Sequence, residues 1–177
     1  MRRLACLTVA LVLGGCSMKV VRVDVDPARL APPPAASKTA MRLACPYRLA
    51  EVIDARPGGE SGGLGVHAFR FGDVAGIVRA QLKVAGLSEA SDPSAATGSK
   101  VDLRIMQLYL AQNLTTKVPV AVYEVAINDG AAFVVRSQKA SLNWNGTEDE
   151  AYAAYARVLA DVNQQLVNQL NARCSQG

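Results

Sequence analysis

The side chain best suited to covalent chemistry is the thiol of Cys16, which follows Leu13-Gly14-Gly15. Sulfur at that position can carry a diacylglyceryl group. A branched apolar residue and two small ones leave the backbone open to the enzymes that attach the lipid and cut before the cysteine. The residues upstream fit this chemistry. Arg2 and Arg3 give a positive start, Leu4 to Leu13 an apolar run, and Gly14-Gly15 the small residues of a cleavage site, which are the three zones of a secretory signal. The run falls well short of the ~20 apolar residues that a permanent transmembrane helix needs. The tetrapeptide looks like a lipobox, with Leu13, Gly14 and Gly15 as signal-peptidase recognition residues and Cys16 as the acceptor of fatty chains such as palmitate. The alternative is an ordinary signal peptide that has a cysteine near its cut.

Three further cysteines remain. Cys6 leaves with the leader, so the mature chain keeps Cys45 and Cys174 beside the lipid acceptor. An even pair in an oxidising compartment is expected to form a disulfide. The chain-entropy model credits a loop of this size with roughly 5 kcal/mol. Two reduced cysteines that never meet are the alternative.

The remaining residues with chemical potential are sparse. His67 is the only histidine, which excludes a histidine-rich metal site and leaves one candidate base for a Ser-His-Asp arrangement. No Gly-x-Ser-x-Gly elbow accompanies it, so a surface or loop histidine is the expectation. The glycine-rich stretch Asp54 to Gly65 invites a phosphate-cradle reading, but no Gly-Lys-Ser/Thr follows and Val66-His67-Ala68-Phe69 reads as extended rather than as a helix start. Asp54 and Arg56 can form a charged pair that fixes the corner between strand and loop, or present a contact to a partner. No enzymatic activity, cofactor or metal is expected from this inventory.

A chain of 177 residues, half of them hydrophobic and 19% charged, is long enough for one folded domain with a proper core. The formal charge of +4 includes Arg2 and Arg3, and without the leader the chain is close to neutral. Bases are scattered rather than interleaved with aromatics, so nucleic acid is not an expected partner.

These residues must be held by a small set of elements. Val21-Arg22-Val23-Asp24-Val25-Asp26 alternates like a short strand that can join a sheet edge, and the proline-rich stretch from Pro27 to Ser37 reads as an extended tether. A first domain strand is expected over 41–53. The glycine-rich loop follows, and then a helix carrying Phe71, Val74, Ala75, Val78, Leu82 and Ala85 on one face, ended by Gly86. Val101 to Leu110 and Val118 to Ile127 read as strands. Asn128-Asp129-Gly130 is a hairpin signal leading into a strand from Ala132 to Trp144. Thr147-Glu148-Asp149-Glu150 is a capping box for a long helix whose stripe is Tyr152, Tyr155, Leu159, Val162, Leu166 and Leu170.

The order β-α-β-β-β-α predicts an α+β two-layer sandwich, a mostly antiparallel sheet with both amphipathic helices on one face. The organisation expected is a signal peptide over 1–15, a lipidated N-terminus and tether over 16–40, and a periplasmic domain over 41–177.

The strand-end Asp54-Ala55-Arg56 followed by Gly65, Val101-Asp102-Leu103-Arg104-Ile105 running into Leu108-Tyr109, the Asn128-Asp129-Gly130 hairpin and Lys139-Ala140-Ser141-Leu142 before a final helix resemble the YajG family of small bacterial lipoproteins. The resemblance covers roughly 43–174, without a counterpart for the Cys45 and Cys174 pair. It implies a lipid-anchored outer-membrane lipoprotein with its domain facing the periplasm. Ser17 after the acceptor cysteine, in place of Asp, favours the outer membrane over retention at the inner one. The function expected is non-enzymatic binding of an envelope protein partner. The alternative is a lipid- or amphiphile-binding auxiliary component of an envelope ABC-type transport system, whose lipoproteins share the α+β plan at the level of fold alone.

Overall fold

The computed structural model describes residues 19–30, 42–58, 60–89, 98–142 and 145–174. Its centre is a pair of long strands, β6 (Ser99–Gln112) and β7 (Thr116–Ile127), paired antiparallel from Val101 opposite Ile127 to Gln112 opposite Lys117. Alternation brings Val101, Leu103 and Ile105 to one face. A shift of register between Ile105 and Gln107 inserts one residue, so Leu108 and Leu110 return to that same face instead of turning outward. Pro119 of β7 stands where neither later strand pairs with it. β8 (Phe133–Gln138) pairs with Val120–Val125 and β9 (Ser141–Leu142) with Thr116 and Lys117, so the missing proline amide interrupts no ladder on that side.

On the other side of β6 lie two strands end to end. β2 (Tyr47–Asp54) runs parallel to its first half, and β3 (Glu60–Leu64) meets its second half where Gly62 faces Leu110. β4 (His67–Arg70) folds back antiparallel on β3, β1 (Val21–Asp24) adds parallel to β4, and the two-residue β5 (Ser88–Glu89) adds to β2. The nine strands form one open, mixed sheet. The expected α+β class stands; the sheet is mixed, and its longest ladder, β6 with β7, is antiparallel as expected.

Both helices cover one face. α1 (Val74–Val84) starts at Asp73, whose carboxylate accepts the Gly76 amide at 2.7 Å, and it closes at Gly86, φ +97°, with the Leu87 amide on the Leu82 carbonyl at 3.1 Å. It packs on β2. α2 (Glu148–Cys174) spans roughly 40 Å at 1.5 Å per residue and lies over β6, β7 and β8. Every residue of its expected stripe is buried, and Ala151, Ala154, Val158 and Val167 widen the stripe into a face. At its start the Glu150 amide donates to the Thr147 hydroxyl at 3.3 Å. The Glu150 carboxylate reaches back to the amides of Asn145 and Gly146 at 2.8 and 3.2 Å.

Two expectations are corrected. The glycine-rich stretch contains strand β3, because Gly62 lets the chain approach β6: a Cβ there would stand 2.1 Å from the Leu110 carbonyl oxygen, at φ +77°. The expected edge strand at Val21 is present, but the start of the stretch read as a tether, Pro27–Leu30, belongs to the domain as well. β1 is paired into the sheet, and the 3₁₀ turn Pro27–Leu30 drops Leu30, fully buried, into the core. The Asp26 amide donates to the Tyr152 hydroxyl at 2.9 Å, and Arg29 lies over the Tyr152 ring and pairs with Glu148 and Asp149.

Candidate functional site

Leu13, Gly14, Gly15 and Cys16 lie outside the described residues, as does Trp144. Cys45 and Cys174 are bridged, with Cα atoms 5.9 Å apart. The bridge joins the strap before β2 to the last turn of α2, and hydrogen bonds support it on both sides. The Ala44 amide donates to Asn171 at 2.8 Å, Asn171 donates to the Arg42 carbonyl at 2.9 Å, and the Tyr47 hydroxyl donates to the Leu170 carbonyl at 2.9 Å.

Asp54 and Arg56 form a two-pronged pair, Nε and Nη2 each 2.8 Å from a carboxylate oxygen. Nη1 donates to the Ser61 hydroxyl at 2.6 Å, and the guanidinium lies near the Phe71 ring. The Arg56 side chain is 4% exposed, against 38% for Asp54. Hydrogen bonds from Arg56 hold the Asp54 carboxyl below its ordinary range, against the opposing pull of burial. A guanidinium so enclosed fixes the corner between β2 and β3, and only Asp54 reaches solvent.

His67 faces the Gly146 carbonyl through Nδ1 at 3.2 Å. No hydroxyl or carboxylate among the described residues is paired with it, and no metal-holding cluster occurs among them. The ring serves to seat the β3–β4 turn against the start of α2.

The layer between sheet and helices is filled by side chains, with Tyr123, Tyr155, Leu103, Ile105, Leu108 and Leu159 among the fully buried. A polar network threads it: Tyr123 donates to Asn163 at 3.2 Å, and Asn163 donates to Gln81 at 2.8 Å. Burial pushes the Tyr123 phenol far up, so it stays a donor. A cleft of about 190 Å³ between β7 and α2, lined by Lys117, Lys139, Arg157 and Val158 among others, is smaller than the ~300–1,000 Å³ usual for an organic ligand. The larger depression of about 590 Å³ between 42–46 and 84–86 is shallow.

The opposite face of the sheet differs. Register places Tyr109 beside Val120 and Val122 beside Arg136, with Val118 and Val134 on the same face. Val134 is 64% exposed, Tyr109, Val118 and Val122 are half-buried, and Val120 is enclosed by its neighbours. Toward the β7–β8 turn the face becomes ionic, with Lys100 bonded to Asp102 and Asp129 at 2.9 and 3.0 Å and Arg104 to Glu124 at 3.2 Å. The sequence pattern flagged these strands but not which of their faces stays open, because alternation is symmetric until the helices are placed.

No protein-family model matches the chain, and no curated protein matches it. Solved structures do. A Xanthomonas campestris protein of family DUF330 aligns over 89% of this chain and 100% of its own, with TM-score 0.50 and 11% identity. A minor lipoprotein from Acinetobacter baumannii aligns over 72% of this chain and 94% of its own, with TM-score 0.44 and 15% identity. The rare lipoprotein B from Shewanella oneidensis aligns over 73% and 95%, with TM-score 0.33 and 12% identity. The first establishes a shared fold. None of the three is described as a YajG protein.

Proposed function

We propose that this chain is a lipid-anchored envelope lipoprotein of the YajG-like kind, held at the outer membrane by Cys16, whose periplasmic domain is a non-enzymatic docking module. The reading rests chiefly on the open face of the sheet. An apolar stripe of Tyr109, Val118, Val122 and Val134, rimmed by Arg104, Glu124 and Arg136, is left uncovered by both helices. A half-buried apolar stripe with Val134 exposed and a charged rim suits a protein partner.

The short distance between Cys16 and β1 favours a partner that is itself at the membrane surface. That observation supports the second reading, an auxiliary component of an envelope ABC-type transport system. In that role the chain would bind a lipid or amphiphile; among the described residues the layer between sheet and helices is filled by side chains, which favours docking to the machine over carrying the lipid.

The test is a photo-crosslinking residue at Val134 or Tyr109 in the membrane-bound protein, with Asn168 on the solvent side of α2 as the control. A discrete adduct to one envelope protein from the sheet positions alone is expected. Equal, diffuse labelling from all three would contradict the docking face.

A further inference from the structure

Three segments of the chain meet at one end of the sheet. β6 runs toward Gln112, β3 runs parallel to it, and the antiparallel β4 therefore begins at that end, where Val21 enters beside His67. Local bonds hold the group together. Gln112 accepts the Gly65 amide at 2.6 Å, and the Val21 amide donates to the Val66 carbonyl at 2.8 Å. The Asn113 side chain closes the β6–β7 turn on the amides of Thr115 and Thr116 at 3.0 and 2.8 Å.

This ordered end displays apolar side chains to solvent. Leu114, at the tip of the turn, is 99% exposed, Val20 63%, Val21 43% and Val66 39%. No acidic residue occurs in 19–21, 64–67 or 112–117; the start of α2, which meets this end at Gly146, brings Glu148, Asp149 and Glu150, the first two paired with Arg29 and the third with Lys117. The open sheet face grades the same way, from Val118 and Val120 near this end to the ion pairs of Lys100 and Arg104 at the other.

Chain length limits how far this end can stand from Cys16. Cys16 precedes Lys19 by three residues, and a fully extended chain covers at most ~3.6 Å per residue, so the Cα of Cys16 stays within roughly 11 Å of that of Lys19. Lys19 adjoins the exposed Val20.

We infer that the Leu114 turn, the Val66 turn and Val20-Val21 lie against the bilayer, with their apolar side chains in the headgroup region beside the lipid on Cys16. The inference rests on the lipoprotein reading above and adds an orientation to it: the β7–β8 turn at Asp129 points away from the membrane. A few apolar side chains bind bilayers weakly by themselves. Tethered by the acyl chains they act at high effective concentration, and a modest preference is enough to fix the tilt of the domain.

The test uses the full acylated protein in vesicles of phosphatidylethanolamine and phosphatidylglycerol, with a nitroxide on Leu114→Cys or on Asp129→Cys. With Cys16 acylated and Cys45 bridged to Cys174, the introduced thiol is the one that reacts. Collision with a water-soluble nickel chelate is expected to be several-fold lower at position 114 than at 129, and collision with oxygen higher. Equal values at the two positions on a chain whose intact mass includes the acyl groups would overturn the orientation alone. A chain whose intact mass lacks them would overturn the lipoprotein reading, and the inference with it.

Discussion

Val21 lies opposite His67 in a parallel ladder, and that pairing draws the chain onto the edge of the sheet within a few residues of Cys16. The folded domain therefore begins close in sequence to Cys16. The stretch that reads as a leash, Pro27 to Ser37, has its first four residues already packed on the domain, with Leu30 in the core, so it connects two parts of one domain.

The bridge between Cys45 and Cys174 closes almost the whole domain, with a separation of 129 residues. Cys174→Ser is expected to lower unfolding free energy by about 2–5 kcal/mol. Urea denaturation with and without reductant measures it, and reductant should have no further effect on the variant.

Gly62 stands where β3 touches β6. Gly62→Ala places a Cβ 2.1 Å from the Leu110 oxygen at positive φ, and a loss of at least ~2 kcal/mol is expected from backbone strain and displacement. Gly58→Ala, also at positive φ but with nothing within 4 Å, serves as the comparison and should cost only about 1 kcal/mol.

These two cases mark what the sequence could and could not reveal. The stripe and capping box of α2, the Gly86 cap, and the turn at Asn128 and Asp129, whose φ values are +49° and +58°, follow from local chemistry and were legible. Strand β3 was not, because Glu60-Ser61-Gly62-Gly63-Leu64 has a single large apolar residue and owes its strand to a backbone contact with Leu110. The parallel direction of β2 against β6 was equally hidden, since periodicity carries no information about a partner's direction. At the candidate site, the pairing of Asp54 with Arg56 was legible from spacing. The burial of Arg56 under Phe71 and Ser61 depends on tertiary packing and was not.

Asn163 is 1% exposed and has Tyr123 and Gln81 as partners. Asn163→Ala leaves the buried Tyr123 hydroxyl without its acceptor and should cost about 1–3 kcal/mol. Combining Asn163→Leu with Tyr123→Phe removes both ends of that bond and should recover much of the loss, which a thermal or urea double-mutant cycle will measure.

The Lys117 ammonium, assisted by the Asn145 and Gly146 amides, holds the Glu150 carboxyl below its ordinary 4.5. A depressed carboxylate contributes stability that is present above the unfolded-state value and lost as pH falls through the folded one. Stability should therefore decline below pH 4.5, and Glu150→Gln should be less stable near neutrality with a shallower acid decline. Asp54, also depressed, contributes a slope common to both proteins. Urea midpoints recorded across that range for the two proteins give the comparison.

The most direct measurement is metabolic labelling with palmitate, followed by membrane fractionation, of the full chain and of Cys16→Ser. Label on the full chain, cosedimentation with membranes and loss of both in the variant are the predicted results. A full chain that stays in the soluble fraction, uncut and unlabelled, would contradict the assignment to the envelope.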